Sequence, residues 1–138
     1  MHATTGAYHR GMTALSEAQT QAVITMAMDL ARRGEVAELE ELVRRGLPVD
    51  VQDPDGNTML MLAAYRGHVE AVRALIALGA DVDLRNARDQ APIAGALFKG
   101  EDRVVMELKA AGADLDAGTP SARAAAEMFG KAALLGEG

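Results

Sequence analysis

A step of 33 residues runs through this chain. It links Gly34, Gly67 and Gly100, then Leu42, Leu75 and Leu108, then Gly46, Gly79 and Gly112. The same step links Asp50, Asp83 and Asp116, and it aligns Leu39, Val72 and Val105. Several independent positions keep one register over three copies, so the chain is a repeat array. A unit this short cannot bury its own apolar face. Copies must stack, each completing its neighbour's interior.

The stretch from Asp53 to Asp83 shows what one unit contains. Its opening DPDGN is a turn, because Pro54 presets φ and Gly56 accepts φ > 0 without a Cβ clash. Thr58 is placed as an N-cap, and the spacing predicts a short helix over Met59 to Tyr65 with Leu60, Ala63 and Ala64 inward. Gly67 ends it in the left-handed region. A second helix follows, with Val69, Val72, Leu75 and Ile76 on one stripe, and Gly79 stops it.

As it stands from Asp53 to Asp81, this unit reads D-x-x-G-x-T-x-L-x-x-A-A-x-x-G-H-x-x-x-V-x-x-L-x-x-x-G-A-D. It resembles an ankyrin repeat, and the resemblance extends over residues 25 to 135. The expected fold is all-α: an ankyrin repeat solenoid of about four stacked helix-turn-helix units with atypical end repeats. The expected domain is 14–136, divided into an N-cap repeat 16–50, repeats 51–83 and 84–116, and a short C-cap repeat 117–136.

The flanking copies depart from the central one in ways that have physical consequences. SEAQ at Ser16 to Gln19 fits a capping box, starting a helix from Glu17 to Arg33 that is long enough to cover the open end of the stack. Its partner, Val36 to Arg45, turns Leu39, Leu42 and Val43 inward. In the copy after the central one, Asp89 replaces the turn glycine and Ala91 the capping threonine. The second change costs about 1 kcal/mol, offset in part by Pro92 at the first helical position. Lys109 stands in the register of Ile76 and Val43, so its amine must reach solvent. The last copy is short: Ser121 takes the cap position, Gly130 matches Gly67, and the closing helix from Lys131 to Leu135 is barely one turn. Residues 1–13 have no period and read as a disordered tail, with Met12 a second candidate start. His2 and His9 in that tail make a poor metal pair.

Composition narrows the function classes. The net charge is −6, against the basic surplus of a general nucleic-acid binder. No cysteine is present, which removes thiol catalysis, disulfides and zinc–thiolate sites. No apolar run approaches the roughly 20 residues of a membrane span, and the N-terminus lacks a signal pattern, so a cytoplasmic location without membrane contact is expected. Eleven arginines against three lysines, with abundant alanine, fit a GC-rich bacterial source. Aromatics are only 3%, a level that stacked helices closed by Ala, Val and Leu tolerate.

Catalytic constellations fail one by one. Ser16 and Ser121 sit where caps are needed, and no carboxylate pair is placed with a base. The acidic turn fails as a calcium loop, since Val51 and Leu62 stand where oxygen ligands are required. No cofactor is expected. His68 occupies the family's inter-helix histidine position, where the resemblance implies that the ring ties the turn to the backbone.

What the resemblance implies instead is protein binding on a concave face built from turn tips and inner-helix ends. At those ends sit Arg32–Arg33, Tyr65–Arg66, Phe98–Lys99 and Met128–Phe129. The candidate contact residues are Arg33, Gln52, Asp55, Asn57, Tyr65, Arg66, Arg85, Arg88, Gln90, Phe98 and Lys99. Two readings stand for the rings. They shield helix ends against the next repeat, the better reading for Phe129, or they anchor a partner, as aromatic and arginine residues do at interfaces. The expected protein is a non-catalytic, monomeric adaptor or regulator. The alternatives are a ligand or nucleic-acid binder using the strip Arg32, Arg33, Arg66 and Lys99, an enzyme on a repeat scaffold, or self-association at the thin C-terminal end. The outer-helix charges, Glu38, Glu41, Glu70, Arg73, Asp102 and Glu107, read as a solvated face.

Overall fold

The structure is a computed structural model and describes residues 15–136. The expectations for residues 1–13, with His2 and His9, fall outside that range. Among the described residues there are seven α-helices, one 3-10 helix and no strand. They are α1 (Glu17–Arg33), α2 (Val36–Arg44), α3 (Met59–Tyr65), α4 (Val69–Ala77), α5 (Pro92–Lys99), α6 (Asp102–Ala110), α7 (Ala122–Met128) and the closing 3-10 turn (Ala132–Leu135). Helices α1, α3, α5 and α7 form an inner layer, each packed on the next. Helices α2, α4 and α6 and the 3-10 turn form the outer layer in the same order.

Local chemistry explains the boundaries. Ser16 accepts from the Gln19 amide while the Gln19 side chain accepts from the Ser16 amide, a complete capping box. Thr58 and Ser121 cap α3 and α7 by accepting from the amides of Met61 and Ala124. Ala91 offers no such bond, and Pro92 opens α5 in its place. Asp89 takes φ 60, matching the φ 81 of Gly56 one copy earlier. Its side chain is held there by the Thr119 hydroxyl at 2.6 Å and by Arg85 at 3.2 Å.

The core lies between the layers. Leu39, Val72, Leu75, Val105 and Leu108 are all buried, and Leu75 is 0% exposed. Burial of each such side chain contributes about 1.5–3 kcal/mol. Helix α3 is buried from Met59 to Ala64, not merely at Leu60, Ala63 and Ala64. It is flanked by α1 and α5 and backed by α4, which leaves no solvent face until Tyr65. Lys109 is exposed, as its register required.

The aspartates of the 33-residue step have a specific task. Asp50 accepts from the Asp81 amide at 2.9 Å, and Asp83 accepts from the Asp114 amide at 2.7 Å. Each carboxylate thus ties the end of one unit to the next. His68 does the same between units, donating from Nε2 to the carbonyl of Arg32 at 2.7 Å. Its ring fills the space over Gly34, where a Cβ would lie 2.6 Å from Cγ. The outer-layer charges are solvated and also paired across units: Arg73 reaches Glu107 at 2.7 Å and Lys131 reaches Asp102 at 2.6 Å. Hydrogen bonding from Arg73 holds the Glu107 carboxyl below its usual range.

Candidate functional site

The inner-layer helix ends and the turn tips meet around a cavity of about 100 Å³. It is lined by Tyr65, Gln90, Ala94, Gly95, Phe98, Lys99, Thr119 and Pro120. Three successive units contribute: α3 supplies Tyr65, α5 supplies Ala94 to Lys99, and the tip before α7 supplies Thr119 and Pro120. Two larger grooves of about 300 Å³ lie elsewhere, one against α4 and α6 and one at the N-terminal end by Met26 and Leu42. Both are bordered by paired charges, Arg73–Glu107 and Glu41–Arg45.

Tyr65 is the residue that builds the cavity. Its ring lies on α5 over Gly95, where any Cβ would overlap the ring edge. The hydroxyl is buried, and no group among the described residues bonds to it. Burial disfavours the phenolate and pushes the Tyr65 pKa up to about 12, against a smaller opposing pull from Arg88. Phe98 remains 46% exposed. Its ring meets Phe129 edge to face, with centroids 5.1 Å apart. Phe129 thus packs against the neighbouring repeat through Phe98, while Phe98 also borders the cavity.

Positive charge stands beside this feature. Lys99 lines it, Arg88 acts electrostatically on Tyr65, and Arg66 is exposed at the end of α3. Arg66, Arg88 and Lys99 make no ion pair among the described residues; Arg88 donates to the Gln90 side chain at 3.3 Å. Asp89 on the same tip is already occupied by Arg85 and Thr119.

The other candidate residues divide by what they touch. Gln52 donates to the carbonyls of Gly56 and Arg85, bridging two tips. Asn57 accepts from Asn86, and Gln90 accepts from the same amide at 2.7 Å. These three side chains are engaged in holding the tips together. Arg33 pairs with Asp29 at 3.2 Å, which interrupts the strip Arg32, Arg33, Arg66 and Lys99. Asp55 is exposed at its tip, away from the cavity lining. Sequence reasoning missed Asn86, a buried hub that accepts from the amides of Arg88 and Gln90. Its signal was the register with Asp53, which accepts in the same way from Asp55 and Asn57. It also missed Gly95, whose signal was a glycine inside a helix.

Among the described residues no group of three or more His, Cys, Asp or Glu could hold a metal ion, and no helix is long and apolar enough to cross a membrane. No curated protein matches the chain. Residues 42–96 match the family model described as ankyrin repeats in many copies. That match covers the central unit and the start of α5, and the same helical hairpin continues on both sides of it. Over residues 42–96 the chain is similar to ankyrin repeats, and its helical hairpins stack in two layers on either side of that stretch.

Proposed function

We propose that this protein is a non-catalytic adaptor or regulator that binds a partner protein through the face around Tyr65, Arg66, Arg88, Phe98 and Lys99. Ankyrin repeats are in general protein–protein interaction modules, and the family is typically non-catalytic. One observation carries the reading here: a half-exposed phenylalanine and a small cavity stand beside Lys99 and Arg88, neither in an ion pair among the described residues, in a chain whose net charge is −6. Aromatic anchors beside arginine are the usual centres of binding energy at protein interfaces. Arg33, Arg85 and Asp55 lie outside the cavity lining, the first two in ion pairs with Asp29 and Asp89, while Gln52, Asn57 and Gln90 brace the tips. We take the working form to be a cytoplasmic monomer.

The test is affinity purification with quantitative mass spectrometry, comparing the natural chain with the triple variant Arg66→Glu, Phe98→Ala, Lys99→Glu. All three side chains are exposed, so the fold should persist. The expected result is a protein captured by the natural chain and lost by the variant, with Arg103→Glu on the outer layer retaining it. Equal recovery of every captured protein by the triple variant would overturn the reading.

A further inference from the structure

The chemistry of the cavity specifies what part of a partner it takes. A dry engineered cavity of about 150 Å³ admits benzene. At about 100 Å³ this one is too small for an aromatic ring and suits an aliphatic side chain of valine size. Its walls are mostly apolar: Ala94, Gly95, Pro120 and the rings of Tyr65 and Phe98. One polar group beside it lacks a protein partner. The Tyr65 hydroxyl is a buried donor, and the ring edge next to it lies over Gly95, where a Cβ would come within 2.6 Å of Cζ. That hydroxyl has no exposed surface for an occupant to reach, so what the tyrosine offers the cavity is the apolar side of its ring. Lys99 lines the cavity and Arg88 acts on Tyr65 beside it, supplying two positive charges, and Asp89 is already paired with Arg85. Charge complementarity therefore selects an acidic occupant.

Resting on the partner-binding reading of this face, we propose that the occupant is an acidic stretch of a partner polypeptide. One small aliphatic side chain of it sits between Tyr65 and Pro120, and its flanking acids face Arg88 and Lys99. The apolar cavity favours a peptide over a nucleic acid, whose phosphates would use the cations and leave the aliphatic pocket unfilled.

Backbone-amide NMR of the full chain tests this with three probes: a short peptide of glutamates around one central valine, the same peptide with lysines in place of glutamates, and an oligothymidine of similar length. The glutamate peptide should shift the amides of Gly95, Phe98 and Lys99 saturably, and more weakly as salt rises. Replacing its valine by glycine should reduce affinity. Lys99→Glu should weaken the glutamate peptide by about threefold to tenfold with the melting temperature unchanged. The proposal is overturned if the lysine peptide or the oligothymidine binds these amides as tightly, if no probe shifts them, or if Lys99→Glu leaves affinity unchanged. Loss of partner capture in the triple variant, without glutamate-peptide binding, would sink this inference alone. Glutamate-peptide binding with partner capture undiminished in that variant would sink the functional reading.

Discussion

The ring of Tyr65 occupies the space that a side chain at position 95 would need. Gly95 lies inside α5, where alanine is ordinarily the better helix former by about 0.5–1 kcal/mol. Here the added methyl must displace a ring wedged between two units, and overpacking of this kind costs about 1–3 kcal/mol. Gly95→Ala should therefore lower the urea midpoint. In a Tyr65→Ala background the sign should reverse, because the obstacle is gone and helix propensity decides. A double-mutant cycle reads the coupling directly. A stabilising Gly95→Ala in the natural background would show that the ring does not rest there.

The hydroxyl of the same tyrosine gives a second prediction. It is buried without an acceptor in the chain, so Tyr65→Phe should be neutral or stabilising by up to about 1 kcal/mol. The pH dependence has a definite sign. Burial raises the folded pKa to about 12, above the unfolded value of about 10. The folded state then keeps a proton that the unfolded state loses. This contribution is fully present below pH of about 10 and is lost toward 12 at about 1.4 kcal/mol per pH unit. Absorbance titration of a Tyr8→Phe variant isolates Tyr65, and denaturant melts with and without Tyr65→Phe should differ in alkaline slope.

The 33-residue step made the stack legible before any coordinates, because it is enforced by backbone geometry and by layer packing at once. Gly67 at φ 75, the Thr58 cap and the buried Leu75 each leave a mark on residue type. The helix bounds of α1 and α3 follow from their caps for the same reason. Side-chain engagement at the tips was not legible. Gln52 and Asn57 look like free polar residues, yet they bond to the adjacent tip, about thirty residues away in sequence, and Gln90 bonds to Asn86, which makes the link to Asn57. The cavity was half legible. Tyr65, Phe98 and Lys99 share a register, whereas Thr119 and Pro120 arrive there because the last tip is shorter than the others.

The aspartate ties predict local effects. Asp50→Ala removes the acceptor of the Asp81 amide, and Asp83→Ala removes that of Asp114. Each should cost about 0.5–1.5 kcal/mol. The diagnostic is hydrogen exchange: Asp50→Ala should expose the Asp81 amide while leaving Asp114 protected, and Asp83→Ala should do the converse. Equal loss at both amides would mean that the carboxylates act through global stability.

Packing in the middle of the stack should outweigh all of these. Leu75 is fully buried where α4 meets its neighbours, so Leu75→Ala should cost about 2–5 kcal/mol. That is a large share of a typical total of about 5–15 kcal/mol, and calorimetry should show a correspondingly lowered melting temperature.

Stability should fall off toward the C-terminal end, because stacking energy comes from neighbours and the last unit has one on a single side. Helix α7 packs on α5, and the closing 3-10 turn buries Leu135 alone of its four residues. Three exposed apolar side chains, Met106, Met128 and Phe129, mark how little covers this end. What holds it includes the Phe98–Phe129 edge contact and the ion pair of Lys131 with Asp102. Amides of residues 121–135 should therefore exchange faster than those of residues 60–76. Lys131→Ala should quicken exchange in the former range and leave the latter unchanged, since an exposed pair acts on its own contact. Protection of 121–135 exceeding that of 60–76 would contradict nearest-neighbour stacking as the source of stability here.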